Sequence, residues 1–139
     1  MGRILALDYG LKRIGVAVTD PLQIIATGLT TIAEKDIWEF LDEYFSKEKV
    51  EKLVIGYPVQ LSGKGSESLI AINPFIKKFL IKYPEITIEQ ADERFTSKLA
   101  HRAMLEMGMK KKDRQNKAFA DTISATIILQ GFLESKKRR

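Results

Sequence analysis

Apolar residues along this chain fall into two rhythms, and the switch between them sets out the architecture. Ile4-Leu5-Ala6-Leu7 is a short continuous apolar run and reads as a first strand. Ile14 to Thr19 reads as a second, closed by Asp20-Pro21, and Ile24 to Ile32 as a third. The links are short, so these three strands are expected to lie antiparallel. The rhythm then becomes helical. Ile37, Phe40, Leu41, Tyr44 and Phe45 share one face of a helix over 36–45. Lys52 to Gly56 is a short buried strand ended by Tyr57-Pro58, and residues 62–68 form a Gly/Ser loop. Leu69, Ile72, Phe75, Ile76, Phe79 and Leu80 form a second helical stripe. Pro74 interrupts it, either kinking one helix or opening a new one capped by Asn73. Ile86 to Ala91 is the fifth strand. A helix capped by Thr96 or Ser97 runs to Met107 with Gly108 as its stop, and a last helix covers Asn116 to about Leu133.

After the opening meander, each new strand is reached through a helix. Strands four and five should therefore lie parallel to strand one. The expected fold is α/β, a mixed sheet of five strands with helices on both faces and strand one central. The carboxyl ends of strands one, four and five then share one edge, where ligands bind in open α/β sheets.

That edge gathers acids. Asp8 ends strand one and is followed by Tyr9-Gly10, so a turn can carry the carboxylate out of the buried run. Asp92-Glu93-Arg94 follows strand five. Alternation sends Asp92 and Glu93 to opposite faces, so only one should join Asp8. Asp121 lies in the last helix beside the small residues Ala118, Ser124 and Ala125, a face suited to close approach to a sheet. The bland alternatives are a turn aspartate at position 8 and a surface pair between Asp121 and Lys117.

Clustered carboxylates without His or Cys point to a hard cation, Mg²⁺ or Mn²⁺, as one or two ions. Such ions activate water and stabilise the leaving oxygen of a phosphodiester. With no cysteine, thiol nucleophiles, disulfides and Cys-ligated zinc are excluded; the single histidine, His101, excludes a two-histidine, metal-free ribonuclease mechanism.

Charge and length refine the picture. The net charge is +5 over 139 residues, 45% of them apolar, which fits one domain over 1–139 with a basic tail at about 134–139. Lys110, Lys111, Lys112, Arg114 and Lys117 cluster ahead of the helix bearing Asp121 and are expected to meet phosphates, as are Lys12, Arg13 and Arg94. Gly63 and Gly65, with Lys64 between them, would let a loop follow a phosphate backbone. Lys12 and Arg13 could instead be plain hairpin charges. No run reaches the ~18 apolar residues of a membrane span, no membrane partner is implied, and a reducing cytoplasm is the expected home.

The stretch Leu7-Asp8-Tyr9-Gly10-Leu11-Lys12-Arg13-Ile14-Gly15-Val16-Ala17-Val18-Thr19-Asp20 resembles the opening signature of the YqgF-type family, Holliday-junction resolvases also described as pre-16S rRNA nucleases. Val54-Ile55-Gly56-Tyr57-Pro58 with Ser62-Gly63-Lys64-Gly65, Asp92-Glu93-Arg94-Phe95-Thr96-Ser97, and Lys117 through Asp121 to Ile128-Leu129-Gln130 resemble its later blocks, in the same order. Tyr57, where a smaller aliphatic residue is usual, and Pro74 depart from the pattern. The resemblance implies a ribonuclease-H-like fold, with Asp8, Glu93 and Asp121 as the acidic set. It also implies a bacterial cytoplasmic nuclease maturing the 5′ end of pre-16S rRNA. Branched DNA is the alternative substrate and would require a dimer. With no apolar dimer stripe left over on the helices, a monomer is favoured. A non-catalytic RNA-binding factor is a further alternative, and a sugar-kinase-like phosphotransferase would need a second domain.

Overall fold

The strands alternate cleanly between two apolar faces, and that alternation divides the molecule into layers. A computed structural model describes residues 2–57, 67–92 and 117–137. Strands β1 (Arg3–Tyr9), β2 (Arg13–Thr19), β3 (Ala26–Ala33), β4 (Val50–Tyr57) and β5 (Thr87–Asp92) form one sheet in the order β3-β2-β1-β4-β5. β1 pairs antiparallel with β2, and β2 with β3; β1 pairs parallel with β4, and β4 with β5. Asp8 therefore lies on the central strand, as the meander followed by crossovers requires.

Leu5, Leu7 and Tyr9 of β1, Ile14, Val16 and Val18 of β2, and Leu53 and Ile55 of β4 point to one face. Two helices cover it: α1 (Ile37–Lys47), entered through a 3₁₀ turn at Glu34–Asp36, and α2 (Glu67–Lys82). Ile37 and Leu41 of α1 and Ile72, Phe75 and Phe79 of α2 complete that core. Ile4, Ala6, Ala17 and Val54 point the other way, onto Ala125, Ile128, Leu129 and Leu133 of helix α3 (Lys117–Lys137).

Pro74 sits inside a single helix, α2, and neither starts nor ends it. Losing one backbone bond and straining the preceding turn costs about 3 kcal/mol. Burying Ile72, Phe75 and Phe79 on the same face contributes roughly 1.5–3 kcal/mol each, so packing carries the helix through the proline.

Several boundaries differ from the sequence pattern. α2 begins at Glu67, inside the loop expected over 62–68, and α3 continues to Lys137, past the end expected near Leu133 and into the expected basic tail. Asp8 is the sixth residue of the seven in β1 and lies inside the strand, half-buried, not beyond its end. β3 starts at Ala26 and not at Ile24. The reason is the Asp20 side chain. Its Oδ1 accepts from the amides of Ile24 and Ile25, both at 2.8 Å, and its Oδ2 from that of Leu22 at 3.2 Å. Those amides are committed to a turn, with Gln23 at φ 58°, and Ile24 and Ile25 are left exposed. The bonds to Ile25 and then Ile24 hold the Asp20 carboxyl below its ordinary range. The helix expected from Thr96 or Ser97 to Met107 lies outside the described residues.

α3 comes unusually close to the sheet at one point. A Cβ placed on Gly15 would fall on the backbone carbonyl oxygen of Asp121, far inside van der Waals contact, and 3.1 Å from the Thr122 nitrogen. A glycine inside a strand marks such an approach. Gly15→Ala should therefore push α3 off β2 and cost about 3 kcal/mol, the upper end for overpacking, read as a lower midpoint in urea unfolding. A midpoint equal to that of the unsubstituted protein would contradict the close approach.

Candidate active site

Alternation along β1 puts Asp8 on the α3 face, behind Ile4 and Ala6, while Tyr9 turns into the opposite core. On that face its lateral neighbours are both glycines: Gly15 on β2 and Gly56 on β4. No side chain stands beside the carboxylate on either flanking strand at that level. Arg13 is on the same face, two residues before Gly15. Asp121 lies one helical turn before Ala125, on the side of α3 that packs against the sheet.

These residues meet in one cleft of about 330 Å³, lined by Asp8, Gly10, Leu11, Lys12, Arg13 and Asp121. Asp8 and Asp121 come from positions 113 residues apart (121 minus 8) and are brought together by α3 seating on Gly15. Arg13 Nε donates to Asp121 Oδ2 at 2.8 Å, with side-chain exposures of 39% and 26%. A pair so exposed is worth about 1 kcal/mol; its interest lies in which carboxylate it engages. Asp121 is thus joined to Arg13, the residue expected at phosphates.

The turn carrying Lys12 is held from behind. The Glu34 amide donates to the Lys12 carbonyl at 3.0 Å, and the Tyr9 hydroxyl donates to Glu34 Oε1 at 2.9 Å. Burial, and then the Glu34 carboxylate beside it, push the Tyr9 phenol well above its ordinary range, so it remains a donor. Phe75 packs on the Tyr9 ring at 5.1 Å and Trp38 stacks on Phe75 at 4.9 Å. Gly10 is needed for the tightness of the turn, since a Cβ there would lie 2.7 Å from the Arg13 carbonyl oxygen.

A larger hollow, about 460 Å³, lies at the opposite end of the parallel strands between Phe45, Val50, Lys82 and Ile86. It mixes Glu48, Glu51 and Glu85 with Lys49 and Lys82 and contains neither cleft aspartate. Chemistry in an open α/β sheet is expected at the carboxyl ends of the strands, and the smaller cleft is there.

The cleft's donor set is all oxygen, which suits a hard divalent cation. Among the described residues, no group of three or more His, Cys, Asp or Glu side chains forms a metal centre. Glu93, Gly63, Lys64, Gly65, Arg94, Lys110, Lys111, Lys112 and Arg114 lie outside the described residues; Lys117 is the first residue of α3. Sequence reasoning missed the Arg13–Asp121 pair and the role of Gly15. The signal for the second was present: an isolated glycine between Ile14 and Val16 in a strand.

Comparisons with known proteins show the family of the chain. The model of a family described as "RuvX: Holliday junction resolvase" matches residues 2–135. A protein of Phocaeicola vulgatus is 58% identical over 137 residues, and one of Bacteroides thetaiotaomicron 55% identical over 137; each match covers 99% of both chains. A protein of Flavobacterium psychrophilum is 56% identical over 136 residues, 98% of this chain and 99% of its own. All three carry the name "Putative pre-16S rRNA nuclease". Among solved structures, RuvC of T. thermophilus in complex with a Holliday junction substrate superposes with a TM-score of 0.58 at 14% identity, over 99% of this chain and 96% of that one. At that identity the likeness concerns the fold, which is ribonuclease-H-like. With the family's model matched over residues 2–135 and relatives more than half identical over nearly the whole length, the chain belongs to the RuvX family.

Proposed function

We propose that this chain is a divalent-metal-dependent nuclease that hydrolyses phosphodiester bonds in structured RNA, with the 5′ region of pre-16S rRNA as its favoured substrate. The observation that carries the reading is the cleft at the carboxyl end of the central strand, which Asp8 and Asp121 line together with Lys12 and Arg13. The names of the relatives from Phocaeicola and Bacteroides support the RNA substrate. The family's description supports the alternative, branched DNA. In this reading residues 1–139 form one nuclease domain working as a monomer in the cytoplasm. No described helix is long and apolar enough to cross a membrane.

Asp8, Glu93 and Asp121 form the acidic set that holds Mg²⁺ or Mn²⁺. The resemblance to the family favours Glu93 over Asp92 as the third acid. The bound ion supplies an activated water and stabilises charge on the leaving oxygen. The chain's own contribution is positional. Asp8 is fixed by a strand paired on both sides, and Asp121 by the seating of α3. Lys12, Lys64, Arg94, Lys110, Lys111, Lys112, Arg114 and Lys117 bind phosphates, and Gly63 and Gly65 let the loop approach the backbone.

Asp8→Asn keeps size and removes the charge. The protein should fold, bind RNA in EDTA, and lose cleavage by about three orders of magnitude, equivalent to about 4 kcal/mol of charge stabilisation. Cleavage of defined RNA hairpins, single strands and four-way DNA junctions, with Mg²⁺, Mn²⁺ or EDTA, measures this. It also separates the substrates: paired symmetric cuts in the junction would favour DNA. A folded Asp8→Asn protein with full metal-dependent activity would refute the site.

Replacing Lys110, Lys111, Lys112 and Arg114 together by Ala should weaken RNA binding. The log–log salt slope should fall by about 0.7–0.9 for each phosphate that the protein no longer neutralises. An unchanged slope in a filter-binding titration would mean the cluster touches no phosphate.

A further inference from the structure

Arg13 stands where a metal-site residue and a phosphate-binding residue would compete. It opens β2, shares the α3 face with Gly15, and donates from Nε to Asp121 Oδ2 at 2.8 Å. The same cleft contains Asp8 and Lys12. Two carboxylates in one cleft disfavour each other's charge, and a guanidinium is a permanent cation that offsets this. A divalent ion held by the cleft requires the carboxylate that Arg13 already engages. Both partners are partly exposed, so the guanidinium can leave without opening the core.

Resting on the reading of the cleft as a divalent-ion site, we propose that Arg13 is a resident counter-cation. It holds Asp121 in the cleft of the metal-free protein and leaves that carboxylate when a divalent ion binds. Its planar fork then becomes available to a substrate phosphate in the same cleft. Arg13 is in this sense a positioning residue: it keeps the acidic site assembled between turnovers, at the expense of some metal affinity. For a unit charge roughly 6 Å from a divalent ion in a water-like dielectric, Coulomb's law gives about a tenfold change in affinity.

The test is calorimetric titration of the full chain with Mn²⁺, without nucleic acid, for wild type, Arg13→Gln, Arg13→Lys, Lys12→Gln and Asp8→Asn. Arg13→Gln should bind Mn²⁺ about tenfold tighter, Arg13→Lys close to wild type, and Lys12→Gln should show a smaller gain than Arg13→Gln. Thermal melts add a second readout. Arg13→Gln should melt lower than wild type in EDTA, and saturating Mn²⁺ should raise its Tm by more. Should Arg13→Gln not fold, Arg13→Met takes its place in both measurements.

Equal or weaker Mn²⁺ binding by Arg13→Gln, where Asp8→Asn abolishes binding, would overturn the proposal while leaving the metal site standing. So would an Arg13→Lys protein that gains as much affinity as Arg13→Gln. Absence of Mn²⁺ binding in wild type, or binding indifferent to Asp8→Asn, would remove the metal site and the proposal together.

Discussion

The backbone of α3 lies against β2 where residue 15 has no side chain, and the arrangement of the cleft follows from that close approach. Gly15 is paired with Asp8 across the β1–β2 ladder, and its missing Cβ leaves the space that the Asp121 carbonyl fills. The helix can then lay Ala125, Ile128 and Leu129 on Ile4, Ala6 and Val54. One turn earlier it delivers Asp121 to the level of Asp8. Arg13 stands on the same face of β2 and reaches the Asp121 carboxylate. Packing and chemistry are thus set together at one point, and a methyl group at position 15 would disturb both.

The other face of the sheet contributes rigidity. Because side chains alternate, the residue after Asp8 is committed to the core, where Tyr9 packs on Phe75 and hydrogen-bonds Glu34. Glu34 also ties down the Lys12 carbonyl through its amide. The turn from Gly10 to Lys12 is therefore anchored to the start of the 3₁₀ segment that leads into α1. Functional groups held within a fraction of an ångström on strands and anchored turns are better preorganised than groups on free loops.

Much of this was legible in the chain. Strand directions followed from the change of hydrophobic period and from connection length, since links of three and six residues are too short for a parallel pair. Asp8 stood out because a carboxylate ending an apolar run needs a reason. The boundary at Ile24 was misleading because β-branched residues look like strand, whereas the Asp20 carboxylate claims their amides. Pro74 was undecidable locally; only the burial of Ile72, Phe75 and Phe79 on one face keeps α2 whole. The Arg13–Asp121 pair joins positions 108 apart. Local spacing could suggest only Lys117 as a partner, and the pair with Arg13 is made by tertiary packing.

Whether Asp8 and Asp121 face a divalent ion in one cleft is decided most directly by a crystal structure of the full chain grown with Mn²⁺, with anomalous scattering measured at the manganese edge. An anomalous peak is expected between the two carboxylates, at oxygen distances of about 2.0–2.2 Å as hard octahedral ions adopt, with Arg13 withdrawn from Asp121. A manganese peak only elsewhere on the protein, with the Arg13–Asp121 pair intact, would contradict a shared metal site.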